Sequence, residues 1–153
     1  MGKGLNMKTH SDAADTKFLE GYNCAQSVLF SFHEDFGLDM DCALKLACGF
    51  GGCMGRMGEI CGAVSGGILV LGLKYGRGKS NQRAQTDVTY AEVREFMKCF
   101  SAKHGSCYCR ELLSGCNLAT PEGQAYFKDM SASTCRPCVR DAAAIVEDLL
   151  AGR

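Results

Sequence analysis

Tryptophan is absent, only two prolines occur, and the charges cancel, with 17 Lys and Arg against 17 Asp and Glu. Zero net charge leaves no electrostatic basis for a nucleic-acid partner or an anionic membrane surface. One basic stretch exists, Lys74, Arg77, Lys79 and Arg83 without an intervening acid, and it reads as a solvated loop. The longest apolar run, Ile60–Leu73, is interrupted by glycines and too short to cross a bilayer. Residues 1–17 lack the apolar core of a secretory signal. A cytoplasmic location is therefore expected, and thiols there stay reduced. Period-2 alternation is missing too, so the elements should be helices rather than strands.

What the chain has in excess is sulfur: 11 cysteines in 153 residues. A secreted disulfide scaffold would be shorter and poorer in ordinary core residues. Here 46% of residues are hydrophobic, enough for a core without covalent staples. In a reducing compartment the reasons left for so many cysteines are metal ligation, redox turnover and plain burial, since free cysteine is among the most buried residue types.

The expected architecture is an all-α single domain over residues 12–153, after a flexible N-terminus at 1–11. It is a bundle of six or seven helices with a glycine-rich loop before the helix opened by Cys61. The first helix runs from Asp12 to Glu20, and Gly21-Tyr22-Asn23 breaks the chain. Asn23 with Gln26 then forms a capping box for a helix whose apolar face is Ala25, Leu29, Phe32 and Phe36. Asp39 or Asp41 caps the next helix, which ends at Cys48-Gly49. Gly49–Gly58 is the glycine-rich loop, around Cys53. A helix from Cys61 to Tyr75 carries Gly62, Ala63, Gly66 and Gly67 as a smooth flank for close backbone approach. Such a flank serves packing within one chain or a homodimer equally well. Helices from Thr86 or Asp87 to His104, Cys109–Ser114, Pro121–Met130 and Thr134–Leu150 complete the chain.

Four cysteines, Cys24, Cys61, Cys109 and Cys135, fall in the first turn of a helix in this reading. Unpaired N–H groups and the positive dipole end there favour an anion, so a thiol loses its proton more easily. The thiolate is both nucleophile and metal ligand. Cys135-x-x-Cys138 has chelate spacing, and Cys107-x-Cys109 can supply two ligands. Thioredoxin's version of the former follows a strand, and none is expected here. Gly78-Lys79-Ser80 is not a P-loop, because position 73 is leucine and a helix precedes it. His10, His33 and His104 share no catalytic spacing and read as solvated helix residues.

The run Gly21-Tyr22-Asn23-Cys24-Ala25-Gln26-Ser27-Val28-Leu29, then Cys61-Gly62-Ala63-Val64-Ser65-Gly66, then Cys109-Arg110 and Cys135 resembles the C_GCAxxG_C_C family of redox-active proteins. The resemblance spans roughly residues 12–150 and implies Cys24, Cys61, Cys109 and Cys135 as the family's four cysteines. It implies redox chemistry without naming a reaction. Cys53 stands where members usually have glycine, and Cys42, Cys48, Cys107 and Cys138 are additional.

Three functions are expected in order. The first is an iron–sulfur cluster held by Cys24, Cys61, Cys109 and Cys135, with Cys53 and Cys138 as candidate further ligands, for electron transfer or redox sensing with an unidentified partner protein. The second is cofactor-free thiol–disulfide exchange, Cys61 attacking and Cys24 resolving. The third is a cysteine-ligated zinc module. Against all three stands a bundle of buried, inert thiols.

Overall fold

The computed structural model describes residues 8–152, and within them the chain is all-α, with no strand. Seven helices of nine residues or more form the body: α1 (His10–Leu19), α2 (Cys24–Phe32), α3 (Met40–Cys48), α5 (Gly62–Tyr75), α6 (Ala84–His104), α8 (Pro121–Met130) and α9 (Arg136–Leu150). Two four-residue turns, α4 (Gly51–Met54) and α7 (Cys109–Leu112), lie between them. No helix of the described residues is long and apolar enough to cross a membrane.

Local chemistry sets the boundaries. Asn23 accepts from the Gln26 N–H while the Gln26 side chain accepts from the Asn23 N–H, the expected capping box. Gly37 and Gly105 stop their helices in the left-handed conformation. The first helix starts earlier than expected, at His10, because Thr9 and Asp12 form a second capping box. Of the loose segment expected at 1–11, residues 1–7 lie outside the described residues. The last helix starts later, at Arg136, and the reason is Pro137. A proline ring obstructs the carbonyl four residues back and offers no N–H. The chain meets this with a π-turn, Ser131–Cys135, which carries α8 into α9 as one helical run.

The core is organised around α5. Gly66 lies against α2, where a Cβ would come 2.7 Å from the Ala25 carbonyl oxygen and 3.0 Å from Val28. On the next residue, Gly67, a Cβ would meet the Phe96 ring of α6 at 2.4 Å and Val146 of α9 at 3.2 Å. The small flank anticipated from the sequence thus admits α2 on one side and α6 with α9 on the other. Around it Val28, Leu29, Phe32, Val64, Leu71, Phe96, Phe100, Val139 and Val146 are buried. A short antiparallel bridge, Ile60 with Tyr108, pins the segment before α5 to the one before α7: Cys61 N–H donates to Cys107 at 2.7 Å and Cys109 N–H to Glu59 at 2.8 Å.

α1 is tied to α9 by charge. Buried Asp15 takes a bidentate pair from Arg136, at 2.7 and 2.9 Å, and a third contact from Arg140 at 3.1 Å. His10, stacked on Phe32 at 4.0 Å, sits between Asp35 at 2.8 Å and Glu147 at 2.5 Å. It is therefore a tertiary clamp and not the solvated residue expected.

Two outcomes are expected. Gly66→Ala forces α2 and α5 apart and should cost about 1–3 kcal/mol in urea unfolding, and an unchanged midpoint would show that the helices can separate freely. The Arg136 hydrogen bonds hold the Asp15 carboxyl below the usual carboxylate range. Its contribution is present above the unfolded value of about 3.9 and is lost as pH falls through the lowered folded value. Asp15→Asn should flatten the loss of stability on acidification from pH 6 to pH 3, and equal acid slopes for the two proteins would contradict this.

Candidate functional site

A cleft of about 940 Å³ opens beside the amino ends of α2 and α5. Cys24, Cys61, Cys109 and Cys135, far apart in sequence, all line it, and so do Cys48 and Cys53. The charged residues on its wall are Arg56, Lys128 and Arg136, with no acid among them. Such a field favours thiolates over thiols and anions over cations. Phe18, Tyr22 and Phe127 supply an apolar wall.

Each sulfur reaches the cleft by its own device. Cys24 is the first residue of α2, behind the Asn23 cap. Cys61 stands at the N-cap of α5, where the Ala63 and Val64 N–H groups favour its thiolate without a formed cap hydrogen bond. Gly62 makes the two neighbours: a Cβ there would lie 3.2 Å from the Cys24 Cβ and 3.2 Å from the Ala25 nitrogen. Cys109 opens α7, beyond the Ile60–Tyr108 bridge. Cys135 ends the π-turn, inside a continuous helical run, so it does not stand at an open helix start as expected. π-turns recur at functional positions because they re-aim a side chain.

The glycine-rich loop does something the sequence did not announce. Gly52, Cys53, Met54 and Gly55 have φ of 62°, 55°, 66° and 63°, one left-handed turn, and Arg56 follows at 68°. Three of these are not glycine, and the left-handed region costs each of them about 1–2 kcal/mol. The turn delivers Cys53 to Cys109, and the two are joined in a disulfide with their Cα atoms 5.8 Å apart. Cys109 was expected as an open thiol; its sulfur is bonded to Cys53, the cysteine that stands where glycine was expected.

The remaining sulfurs divide into neighbours. Cys24 faces Cys135, and Cys61 faces Cys138. The sulfurs of the Cys135-x-x-Cys138 spacing are thus split between two partners. Cys107 turns away from Cys109 into α6, against Ser101 Oγ at 3.2 Å and the Met97 carbonyl at 3.5 Å. Thiol acidity follows this arrangement and corrects the expectation that helix starts acidify all four. Cys61 alone is lowered, first by the Cys138 hydrogen bond and then, against burial, by the α5 N–H groups. Cys24 is raised, by its contact with Cys135 and by loss of water. Cys138 is raised far above an ordinary thiol, because its S–H is engaged with Cys61 and because it is buried. Of the two, Cys61 is the more acidic thiol.

Behind Cys138 stands a group that sequence reasoning missed. His104 Nδ1 lies 3.7 Å from Cys138 Sγ, and Nε2 is 2.9 Å from Asp141 Oδ2, with its N–H off the line of approach. The signal was the spacing of Phe96, Phe100 and His104 on one buried face of α6, facing Cys138 and Asp141 one turn apart on α9. Cys42, Cys48 and Cys99 are free and bear no other sulfur as a partner; Cys116 donates to the Gly123 carbonyl at 3.2 Å.

Cysteines gathered from four elements, one pair bonded and the others paired as thiols, can carry electrons as dithiol and disulfide. Among the described residues, no three Cys, His, Asp or Glu side chains converge closely enough to hold a single metal ion. The family model described as "Putative redox-active protein (C_GCAxxG_C_C)" matches residues 22–149. No curated protein matches the chain, and no solved structure does. From the cysteine-lined cleft and a match that covers most of its length, the chain belongs to the C_GCAxxG_C_C family of redox-active proteins.

Proposed function

We propose that this protein exchanges electron pairs through the cleft cysteines by thiol–disulfide chemistry. The observation that carries this reading is a disulfide, Cys53–Cys109, on the wall of a cleft that the free thiols Cys24, Cys61 and Cys135 also line. Reduction of Cys53–Cys109 takes two electrons and two protons and yields two thiols; a dithiol of a partner protein supplies both and becomes a disulfide. The Cys138 contact and the α5 amino end favour a nucleophilic thiolate at Cys61 without a base of its own.

An iron–sulfur cluster in the same cleft is the second reading, and one observation favours it. Cys24, Cys61, Cys135 and Cys138 are near enough to influence one another's ionisation. Cys109, once freed from Cys53, adds a fifth sulfur on the same wall. A cluster tolerates ligands spread more widely than a single ion does, and N–H groups such as those of Ala63 and Val64 would tune it. Cys24, Cys61 and Cys135 would hold it with Cys109 or Cys138, and it would supply one-electron transfer. A lone zinc ion, needing four sulfurs within bonding distance of one point, fits the arrangement less well.

Two measurements test these readings. Protein purified anaerobically should be colourless, free of iron and sulfide, and should open and re-form Cys53–Cys109 reversibly against dithiothreitol buffers. Stoichiometric iron and acid-labile sulfide would select the cluster, and a bond that resists excess dithiothreitol would end the exchange reading. In the same iron-free protein, Cys61 should be alkylated by iodoacetamide at lower pH than glutathione is, and Cys138→Ala, which removes the neighbouring donor, should move that midpoint upward. Coincident profiles for Cys61 and glutathione would remove Cys61 as the nucleophile.

A further inference from the structure

The geometry points to Cys138 as the thiol that resolves adducts formed on Cys61, with His104 taking its proton; this rests on the thiol–disulfide reading. Cys138 lies outside the four family cysteines and does not line the cleft. Cys61 lines the cleft, while its neighbour Cys138 is buried with it in the core and does not reach the cleft. That order matters because exchange at sulfur proceeds with the attacking and leaving sulfurs on opposite sides of the one attacked. A disulfide arriving from the cleft can be met by the Cys61 thiolate. The resulting mixed disulfide is then attacked by Cys138.

The steps balance. The Cys61 thiolate attacks one sulfur of an incoming disulfide; the Cys61–S bond forms, the S–S bond breaks, and the first thiolate leaves into the cleft. Cys138 gives its proton to His104 Nδ1, 3.7 Å away, and attacks Cys61. The Cys61–Cys138 bond forms and the second thiolate leaves. Two thiols of the chain are oxidised and one external disulfide is reduced to two thiols. His104 is placed to accept a proton, because Asp141, 2.9 Å from Nε2, favours the proton on that nitrogen and leaves Nδ1 free. The ring is half-buried and tilts against Phe100 at 4.7 Å, which fixes its orientation toward α9. Lys103 holds the other Asp141 oxygen at 3.0 Å, at the surface where the proton is lost to water. The wall cations Arg56 and Lys128 suit an anionic disulfide, and glutathione disulfide is the probe of that class.

Iron-free, reduced protein is treated with glutathione disulfide, quenched with acid and mapped by mass spectrometry. Wild type should give a Cys61–Cys138 linkage with no glutathione retained on Cys61. Cys138→Ser should retain glutathione on Cys61, and Cys138→Ala serves if the serine variant is unstable. The wild-type linkage is read without any substitution. His104→Gln should still form the linkage, but resolve the adduct about a hundredfold more slowly, the lower range of general-base contributions. Glutathione left on wild-type Cys61, or Cys61 bonded to Cys24, Cys107 or Cys135, would overturn the assignment of Cys138. Resolution at the wild-type rate in His104→Gln would overturn the role of His104. Failure of the underlying reading shows elsewhere, as a Cys53–Cys109 bond that dithiothreitol cannot open.

Discussion

Everything at the cleft depends on how closely α5 is allowed to approach α2. Gly62 and Gly66 remove the side chains that would otherwise hold the two backbones apart, and the Ala25 carbonyl fills the space at Gly66. With α2 that near, Cys24 at its first residue and Cys61 at the cap of α5 are unavoidable neighbours. Gly67 then lets α6 and α9 close on the opposite side, and α9 brings Cys135 and Cys138 within reach of the same two sulfurs. Three gaps in side-chain volume along α5, at Gly62, Gly66 and Gly67, thus determine which sulfurs meet.

Much of this was open to reading in the chain. The Asn23–Gln26 capping box, the smooth flank of α5 and the Gly37 and Gly105 stops are short-range chemistry, and short-range chemistry can be read along one dimension. The convergence of Cys24, Cys61, Cys109 and Cys135 on one cleft came from a family resemblance joined to their places at helix starts. What escaped was conformational. Nothing in Cys53 or Met54 signals a left-handed residue, because the surrounding fold imposes that backbone against local preference. The π-turn hid for a similar reason: the expected helix began at Thr134, and the chain instead widened the turn before Pro137 without a break. His104 was misjudged because its place at the end of α6 suggested solvent, although it continues the Phe96–Phe100 face that packs on α9.

The cysteines have different work, and their surroundings say which. Cys107, tied to Ser101 and Met97, packs the core as a small hydrophobe with a weak donor. Cys61 has N–H groups and the neighbouring Cys138 thiol acting in one direction, toward the thiolate, against its burial. Cys24 has the same helix-start position, but its contact with Cys135 acts the other way. Position at a helix start is therefore a weaker determinant of thiol acidity than what the sulfur touches.

The Cys53–Cys109 bond also joins redox state to local order. It closes a loop across a sequence separation of 56, a constraint on the unfolded chain of about 4 kcal/mol on entropic grounds. Against it stands the left-handed turn, whose three non-glycine residues oppose the conformation that brings Cys53 into place. When the bond is reduced the turn loses the covalent reason for its shape, while Cys109 stays fixed by the Ile60–Tyr108 bridge and the Arg110 contacts to Gly58 and Met57. Relaxation is therefore directed to residues 52–56, which carry Arg56 and one wall of the cleft. The opposite wall, built on α2 and α5, rests on the Gly62 and Gly66 contacts and not on that disulfide.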